Sequence, residues 1–283
     1  MKTIFLECNM GAAGDMLTAA LLELLPQPEA LVEELNGLGI PGVVYSTEKV
    51  TRCGITGTRM RVAVQGQEEE ALHGHSHEHS HEHHHEHPHE HLYAHSHEQT
   101  HIHGQEETHE AHHHAHSGME DIARIVKTLQ LPQKVEEDVM AVYGCIAEAE
   151  SRVHGVSTAQ IHFHEVGSMD AVADITAVCL LMHRLSPEQV IVSPIRVGSG
   201  TVRCAHGVLP VPAPATARLL TGMPVYAGDI PGEMCTPTGA ALLKHFASDF
   251  GNMPLMRVEA VGYGMGAREF RCANCVRAFL GEG

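Results

Sequence analysis

Two histidines and three carboxylates fall within thirteen residues, at His162, His164, Glu165, Asp170 and Asp174. If Gln160 to His164 is extended, the period of two turns His162 and His164 to one face and Phe163 to the other. Gly167 breaks that strand, Ser168 is a suitable N-cap, and Met169 to Leu185 reads as a helix carrying Asp170 and Asp174 one turn apart on one face. Nitrogen and oxygen donors without a thiolate suit Mn²⁺, Ni²⁺, Fe²⁺ or Zn²⁺ better than a closed structural zinc. The plainer alternative is a capped helix with acidic residues at its positive end and two histidines that are packed or solvated.

Three further stretches carry possible chemistry. Gly11-Ala-Ala-Gly14-Asp15 lies between a short apolar run, Thr3 to Cys8, and a helical run, Met16 to Leu25. Such a turn presents N–H groups to phosphate or carboxylate, although the spacing matches neither the Walker nor the Rossmann pattern and tight-turn glycines explain it equally well. In Arg196 to Gly207, Gly198 and Gly200 allow close approach of a ligand, Arg196 and Arg203 suit phosphate or carboxylate, and Cys204 and His206 are possible metal ligands. A glycine-rich hairpin with surface arginines is the alternative. In Glu233 to Leu242, Thr236 or Thr238 caps a helix running to Phe250, so that Thr236, Thr238 and Gly239 offer hydroxyls and N–H groups to an anion.

The remaining segments must position these. Glu29 to Leu38 reads as a helix, and Val43 to Val50 with Thr58 to Val64 as a hairpin with Gly54 and Gly57 in its turn. Ser117 to Glu120 reads as a capping box that opens a helix over 119–130, and Gln133 to His154 is a longer amphipathic helix closed by Gly155. Glu188 to Ser193, Met256 to Val261 and Cys275 to Leu280 read as strands, the last two around a turn at Gly262 to Gly266. Pro214 starts a short helix to Leu220. The expected fold class is α/β, mixed α+β layers with a disordered His-rich insertion. The expected division is an N-terminal β-α-α-β-β lobe over 1–65, the insertion over 66–118, and a metal- and substrate-holding α/β lobe over 119–283.

The insertion is the strongest compositional signal. Twenty of the 26 histidines lie between His73 and His116, and Gln65 to Gly118 holds eleven Glu and no Lys or Arg. Such a tract has little to bury, and its imidazoles can wrap Ni²⁺, Cu²⁺ or Zn²⁺ in many equivalent ways, as a metal buffer or loading arm. It fixes no geometry, so precise chemistry belongs elsewhere. Without it the net charge of −17 shrinks to 24 acidic against 18 basic residues, which points to neither a nucleic-acid nor a membrane partner. Eight scattered cysteines fit a reducing compartment, and Cys272-Ala-Asn-Cys275 is a lone pair. With no apolar run of about 18 residues and no charged-then-apolar leader, a cytoplasmic location is expected.

Taken in order, Gly11 to Met16, the His-rich tract, His162 to Gly167 with Asp170 and Asp174, Val197 to Val208, Pro210 to Thr216 and Thr236 to Ala241 resemble the LarC family, the nickel insertion proteins of nickel-pincer cofactor assembly. Asn9-Met10 stands where that family usually has Phe-Ser, and the Cys272/Cys275 pair is not expected of it. The resemblance implies a nickel-inserting cyclometallase of the lyase or chelatase class. It would insert Ni²⁺ into pyridinium-3,5-bisthiocarboxylic acid mononucleotide, making two Ni–S bonds and one Ni–C bond, with CTP hydrolysis and Mn²⁺ or Mg²⁺. The product would serve lactate racemase-type enzymes.

On this reading Glu165, Asp170 or a histidine is the candidate base for the ring proton. His162, His164, Asp174 and His206 are the metal candidates, and Gly11, Gly14, Asp15, Gly198, Gly200, Arg203, Thr236, Thr238 and Gly239 are the substrate candidates. The resemblance also implies a C-terminal domain for CTP, encoded separately or joined by a frameshift, and a homo-oligomer is expected. The rival readings are a His-rich nickel store or chaperone without catalysis, and a metal-dependent hydrolase using a metal-bound water.

Overall fold

The computed structural model describes residues 1–68, 118–163, 166–204 and 206–283. The His-rich tract, Ser117, His164, Glu165 and Ala205 lie outside the described residues.

The first strand, β1 (Lys2–Glu7), has its four central residues buried, as a strand covered on both faces must. It sits in the middle of a seven-stranded mixed sheet. Helices α1 (Gly14–Leu22) and α2 (Pro28–Gly37) lead to the hairpin β2 (Val43–Arg52) and β3 (Ile55–Val64). Two helices, α3 (Met119–Thr128) and α4 (Gln133–His154), precede α5 (Met169–Leu185) and β4 (Gln189–Val192). Short pieces follow: β5 (Ile195–Arg196), β6 (Gly198–Ser199), the hairpin β7 (Thr201–Cys204) and β8 (Gly207–Pro210), α6 (Pro214–Leu219), β9 (Val225–Tyr226) and β10 (Gly232–Glu233). Then α7 (Pro237–Phe246), β11 (Asp249–Phe250), β12 (Arg257–Met265) and β13 (Cys275–Glu282) complete the described chain.

The sheet order is β11-β4-β1-β13-β12-β3-β2. β1 runs parallel to β4 and antiparallel to β13, with Ile4 opposite both Val190 and Leu280. Strands from both sides of the His-rich tract therefore share one sheet and one core. α1 lies on β3, β12 and β13, α5 covers α1, and α4 crosses α5, α6 and α7. α5 is buried almost all round from Ala171 to Met182, as befits a helix enclosed in the middle layer. Among the described residues no helix is long and apolar enough to cross a membrane.

Four local expectations change. Residues 160–163 do not form a strand, because Thr158–Gln160 makes a 3₁₀ turn closed by Gln160 N–H on Ser157 O. Gly262 and Gly264 lie inside β12 and not in a turn, since a Cβ at Gly264 would fall 1.8 Å from Met16 O and one at Gly262 2.0 Å from Ala20 O. Bare backbone is what lets α1 settle on that strand. The β2–β3 turn is Cys53-Gly54, both with positive φ, which leaves Gly57 within β3. The helix α7 stops at Phe246 because Ser248 N–H bonds Val190 O and Asp249–Phe250 pairs with β4.

Candidate functional site

The corner before α5 is anchored by Phe163, which is fully buried and packs its ring 5.8 Å from that of Tyr143 on α4. Ser168 caps α5, its Oγ accepting the Ala171 N–H at 3.3 Å. One helical turn then directs Asp170 and Asp174 into a cleft of about 420 Å³. Asp174 is buried against the first turn of α1, where a Cβ on Gly14 would lie 2.4 Å from its Oδ2. α1 has no side-chain cap at Ala13, so a carboxylate at its positive end is electrostatically favoured.

Two phenols back this acidic turn. Tyr45 Oη donates to Ala173 O at 2.9 Å, and burial, reinforced by the charges of Asp174 and Asp170, pushes its pKa well up. Burial and the same two aspartates push Tyr143 up as well. Both therefore stay protonated over the physiological range.

The opposite wall comes from the later chain. Thr236 caps α7, its Oγ1 accepting Gly239 N–H at 3.1 Å and lying 3.0 Å from Thr238 Oγ1. Thr236, Pro237 and Thr238 line the cleft, as do Arg203, Cys204 and His206 of the β7–β8 hairpin. His154 and Glu150 enter from the end of α4, with Nε2 3.3 Å from Glu150 Oε2, and the His154 and His206 ring centroids are 4.9 Å apart. Arg59 and Arg61 on β3 reach Glu48 and Glu68, and Arg268 closes the side toward a smaller pocket near Phe270 and Asn274.

Of the residues singled out in the sequence, Gly14, Asp15, Asp170, Asp174, Arg203, His206, Thr236 and Thr238 meet in this cleft. Gly11, Gly198 and Gly239 are not on its walls. A Cβ on each would run into a backbone carbonyl, of Met234, Gly232 and Ala12 respectively, so these glycines hold the loops beneath the site together. Gly200 faces open space at the hairpin, and His162 is exposed away from the lining. His164 and Glu165 lie outside the described residues. Among the described residues no three His, Cys, Asp or Glu side chains group closely enough to hold a metal ion.

His154, Glu150, Glu233, Arg59 and Arg268 also line the cleft and were not anticipated. The i,i+4 spacing of Glu150 and His154 was a readable signal, placing both on one face of α4. Arg59 and Arg268 had none, since only the fold brings β3 and the β12–β13 connection to the same cleft.

The family model described as nickel insertion protein matches residues 4–283. The chain is similar to three curated proteins, each named pyridinium-3,5-bisthiocarboxylic acid mononucleotide nickel insertion protein. That of Desulfitobacterium hafniense is 37% identical over 282 residues, covering 100% of this chain and 59% of the relative. Those of Geobacillus kaustophilus and Clostridium kluyveri are each 34% identical over 283 residues, covering all of this chain and 60% and 62% of the relative. The chain thus spans about three-fifths of the length of these relatives. No solved structure matches it.

Proposed function

The chain belongs to the nickel insertion protein family, and on that premise we propose that its cleft inserts Ni²⁺ into pyridinium-3,5-bisthiocarboxylic acid mononucleotide. The observation that carries this reading is the family match over residues 4–283, shared with relatives named for that substrate. The proposed product is a nickel-pincer cofactor of the kind used by lactate racemase-type enzymes. CTP and Mn²⁺ or Mg²⁺ are the proposed co-reactants, and the cytoplasm is the proposed location.

The chemistry balances without a redox step. Nickel stays divalent, two thiocarboxylate sulfurs and one ring carbon bond to it, and the ring C–H proton leaves to a base. We assign that base to Asp170, with Glu165 as the alternative outside the described residues. Asp174, held at the start of α1, keeps negative charge beside the cationic ring and metal. The substrate phosphate is assigned to the N-terminus of α7, where Thr236 and Thr238 supply hydroxyls and the first turn carries no acidic residue of its own. Arg203 faces the same cleft and supplies a fork for that phosphate.

The test is conversion of the mononucleotide to its nickel adduct, followed by mass spectrometry with Ni²⁺, CTP and Mn²⁺. It is run on this chain and on a version matching the length of its relatives. Asp170→Asn is expected to slow conversion by about a hundredfold or more, the usual contribution of a positioned general base. Arg203→Ala is expected to raise KM with a smaller effect on kcat. Absence of the adduct with either length of chain overturns the assignment, and an Asp170→Asn enzyme of unchanged rate moves the base elsewhere.

A further inference from the structure

The connection from Gly266 to Asn274 joins β12 to β13, and its residues are tied to the fold one after another. Gly266 N–H bonds Asn274 O at 2.9 Å, and Asn274, itself buried, donates from Nδ2 to Arg268 O at 3.0 Å. Glu269 pairs with Arg52 at 2.8 Å, Phe270 packs against Met10, Ile230 and Met234, and Arg271 pairs with Asp229. Arg268 is the exception. Among the described residues its guanidinium has no ion pair, and the residue lines both the main cleft and the smaller pocket beside it.

We propose that Arg268 is a specificity-determining residue that holds an anionic substituent of the pyridinium ring, taking the oxygen of one thiocarboxylate so that its sulfur is turned toward nickel. The proposal rests on the reading of the cleft as a pyridinium mononucleotide site.

The accounting of charge is the first support. Of the arginines that line the cleft, Arg59 and Arg61 reach Glu48 and Glu68. That leaves Arg203 on β7 and Arg268 on the β12–β13 connection, neither with an ion pair among the described residues. A ligand with a single anionic end would need only one of them. The proposed substrate has a phosphate at one end and thiocarboxylates on the ring, and with the phosphate assigned to α7 and Arg203, Arg268 remains for the ring.

The second support is the chemistry of the group itself. A guanidinium is a rigid fork of N–H donors that matches oxygen acceptors. A thiocarboxylate carries one oxygen and one sulfur on the same carbon, and the softer sulfur is the atom that nickel takes. Holding the oxygen therefore settles the rotation of that group about its bond to the ring and leaves the sulfur on the metal side. Fixing such a rotation before reaction lowers the barrier by positioning alone. Asp15 and Glu233 line the smaller pocket too, so a general positive field does not account for the attraction and the direct fork must.

The experiment titrates the metal-free full chain by calorimetry with two probes that differ at one group. Nicotinic acid mononucleotide carries a ring carboxylate, and nicotinamide mononucleotide a neutral carboxamide in the same place, with the same ribose phosphate. The wild type is expected to bind the carboxylate form about tenfold more tightly, the margin of a charge-assisted fork over a neutral hydrogen bond in an open cleft. Arg268→Gln is expected to bring the two affinities together by weakening only the carboxylate form, whereas Arg203→Gln weakens both alike. The Tm of Arg268→Gln is expected to match the wild type, because the anchors of the connection belong to its neighbours. Equal binding of the two probes by the wild type, a preference that survives in Arg268→Gln, or a loss there shared by both probes overturns the proposal and leaves the mononucleotide reading standing. Binding of neither probe refutes that reading and the proposal with it.

Discussion

Gly14→Ala tests whether the site depends on the closeness of α1 to α5. Two effects oppose each other. Alanine is better than glycine in a helix by about 0.5–1 kcal/mol. Against this, the new Cβ falls 2.4 Å from Asp174 Oδ2, 2.6 Å from its Cβ and 2.7 Å from its Cγ, where ordinary contact begins near 3.4 Å. The stem of a buried side chain cannot swing away as a tip can, so α1 and α5 must part by roughly an ångström, and overpacking of that kind costs about 1–3 kcal/mol. The steric effect wins, for a net loss of about 1–2 kcal/mol, or roughly 2–8 °C in Tm for a fold of this size. Displacing Asp174 by that distance is also expected to slow the proposed nickel insertion by up to about a hundredfold. Gly144→Ala is the matched control: Gly144 lies inside α4 with nothing within 4 Å of its would-be Cβ, so stability rises with helix propensity alone. Thermal unfolding of both variants decides the matter. If Gly14→Ala is as stable as Gly144→Ala, the close packing of Gly14 on Asp174 is refuted.

The remaining predictions concern the sheet and the thiols. Glu23 joins three strands to α1, accepting from Lys49 Nζ at 2.7 Å, Thr58 Oγ1 and Tyr263 N–H at 2.8 Å. Burial alone would raise its pKa, but these bonds outweigh it and hold the carboxyl below its ordinary value. The stabilisation is then complete above the unfolded glutamate pKa and lost as pH falls through the depressed one. Glu23→Gln is expected to lose about 1–2 kcal/mol in urea unfolding at pH 7, with the gap to wild type closing below about pH 4; a pH-independent gap refutes the charged bond. Burial also pushes the Cys235 thiol up to about 12 and Cys8 above its ordinary range. Iodoacetamide at pH 8 is therefore expected to label exposed Cys53 and spare both, as read by peptide mass spectrometry; equal labelling of Cys235 refutes a closed floor beneath the cleft.

The elements that the sequence announced correctly are those fixed by neighbours in the chain. Gly155 closes α4 in the left-handed conformation, Ser168 and Thr236 cap their helices, and β1 follows from a run of buried apolar residues. What failed to show was set by contacts across the fold. Gly262 and Gly264 read as a turn because glycine is a local breaker, yet their role is to admit the carbonyls of α1. The alternation around Phe163 imitated a strand, but the segment before it winds as 3₁₀, and burial of Phe163 against Tyr143 sets its direction. His154 sat in view at the end of a helix, with no local sign that His206 would stand beside it.

The arrangement of helix ends explains why one cleft can take both charge types under the proposed function. α1, α5 and α7 all bring their N-termini to it, and a positive end invites an anion in each case. α1 and α5 already have one in their own first turns, Asp15 and Asp170, and α1 meets Asp174 as well. Their positive ends are thereby met by carboxylates of this chain, on the side of the cleft proposed to face the pyridinium ring and the metal. The α7 end has no acidic residue in its first turn; Pro237 lacks an N–H and the Gly239 N–H goes to the Thr236 cap, so the Thr238 N–H and the Thr236 and Thr238 hydroxyls are what this end offers a phosphate. The sign of each wall is thus decided by which helix carries aspartate in its first turn. Moving one acid, as in Thr238→Asp, is expected to abolish phosphate binding while leaving the α1–α5 wall intact, a separation read by the affinity for a simple nucleoside monophosphate.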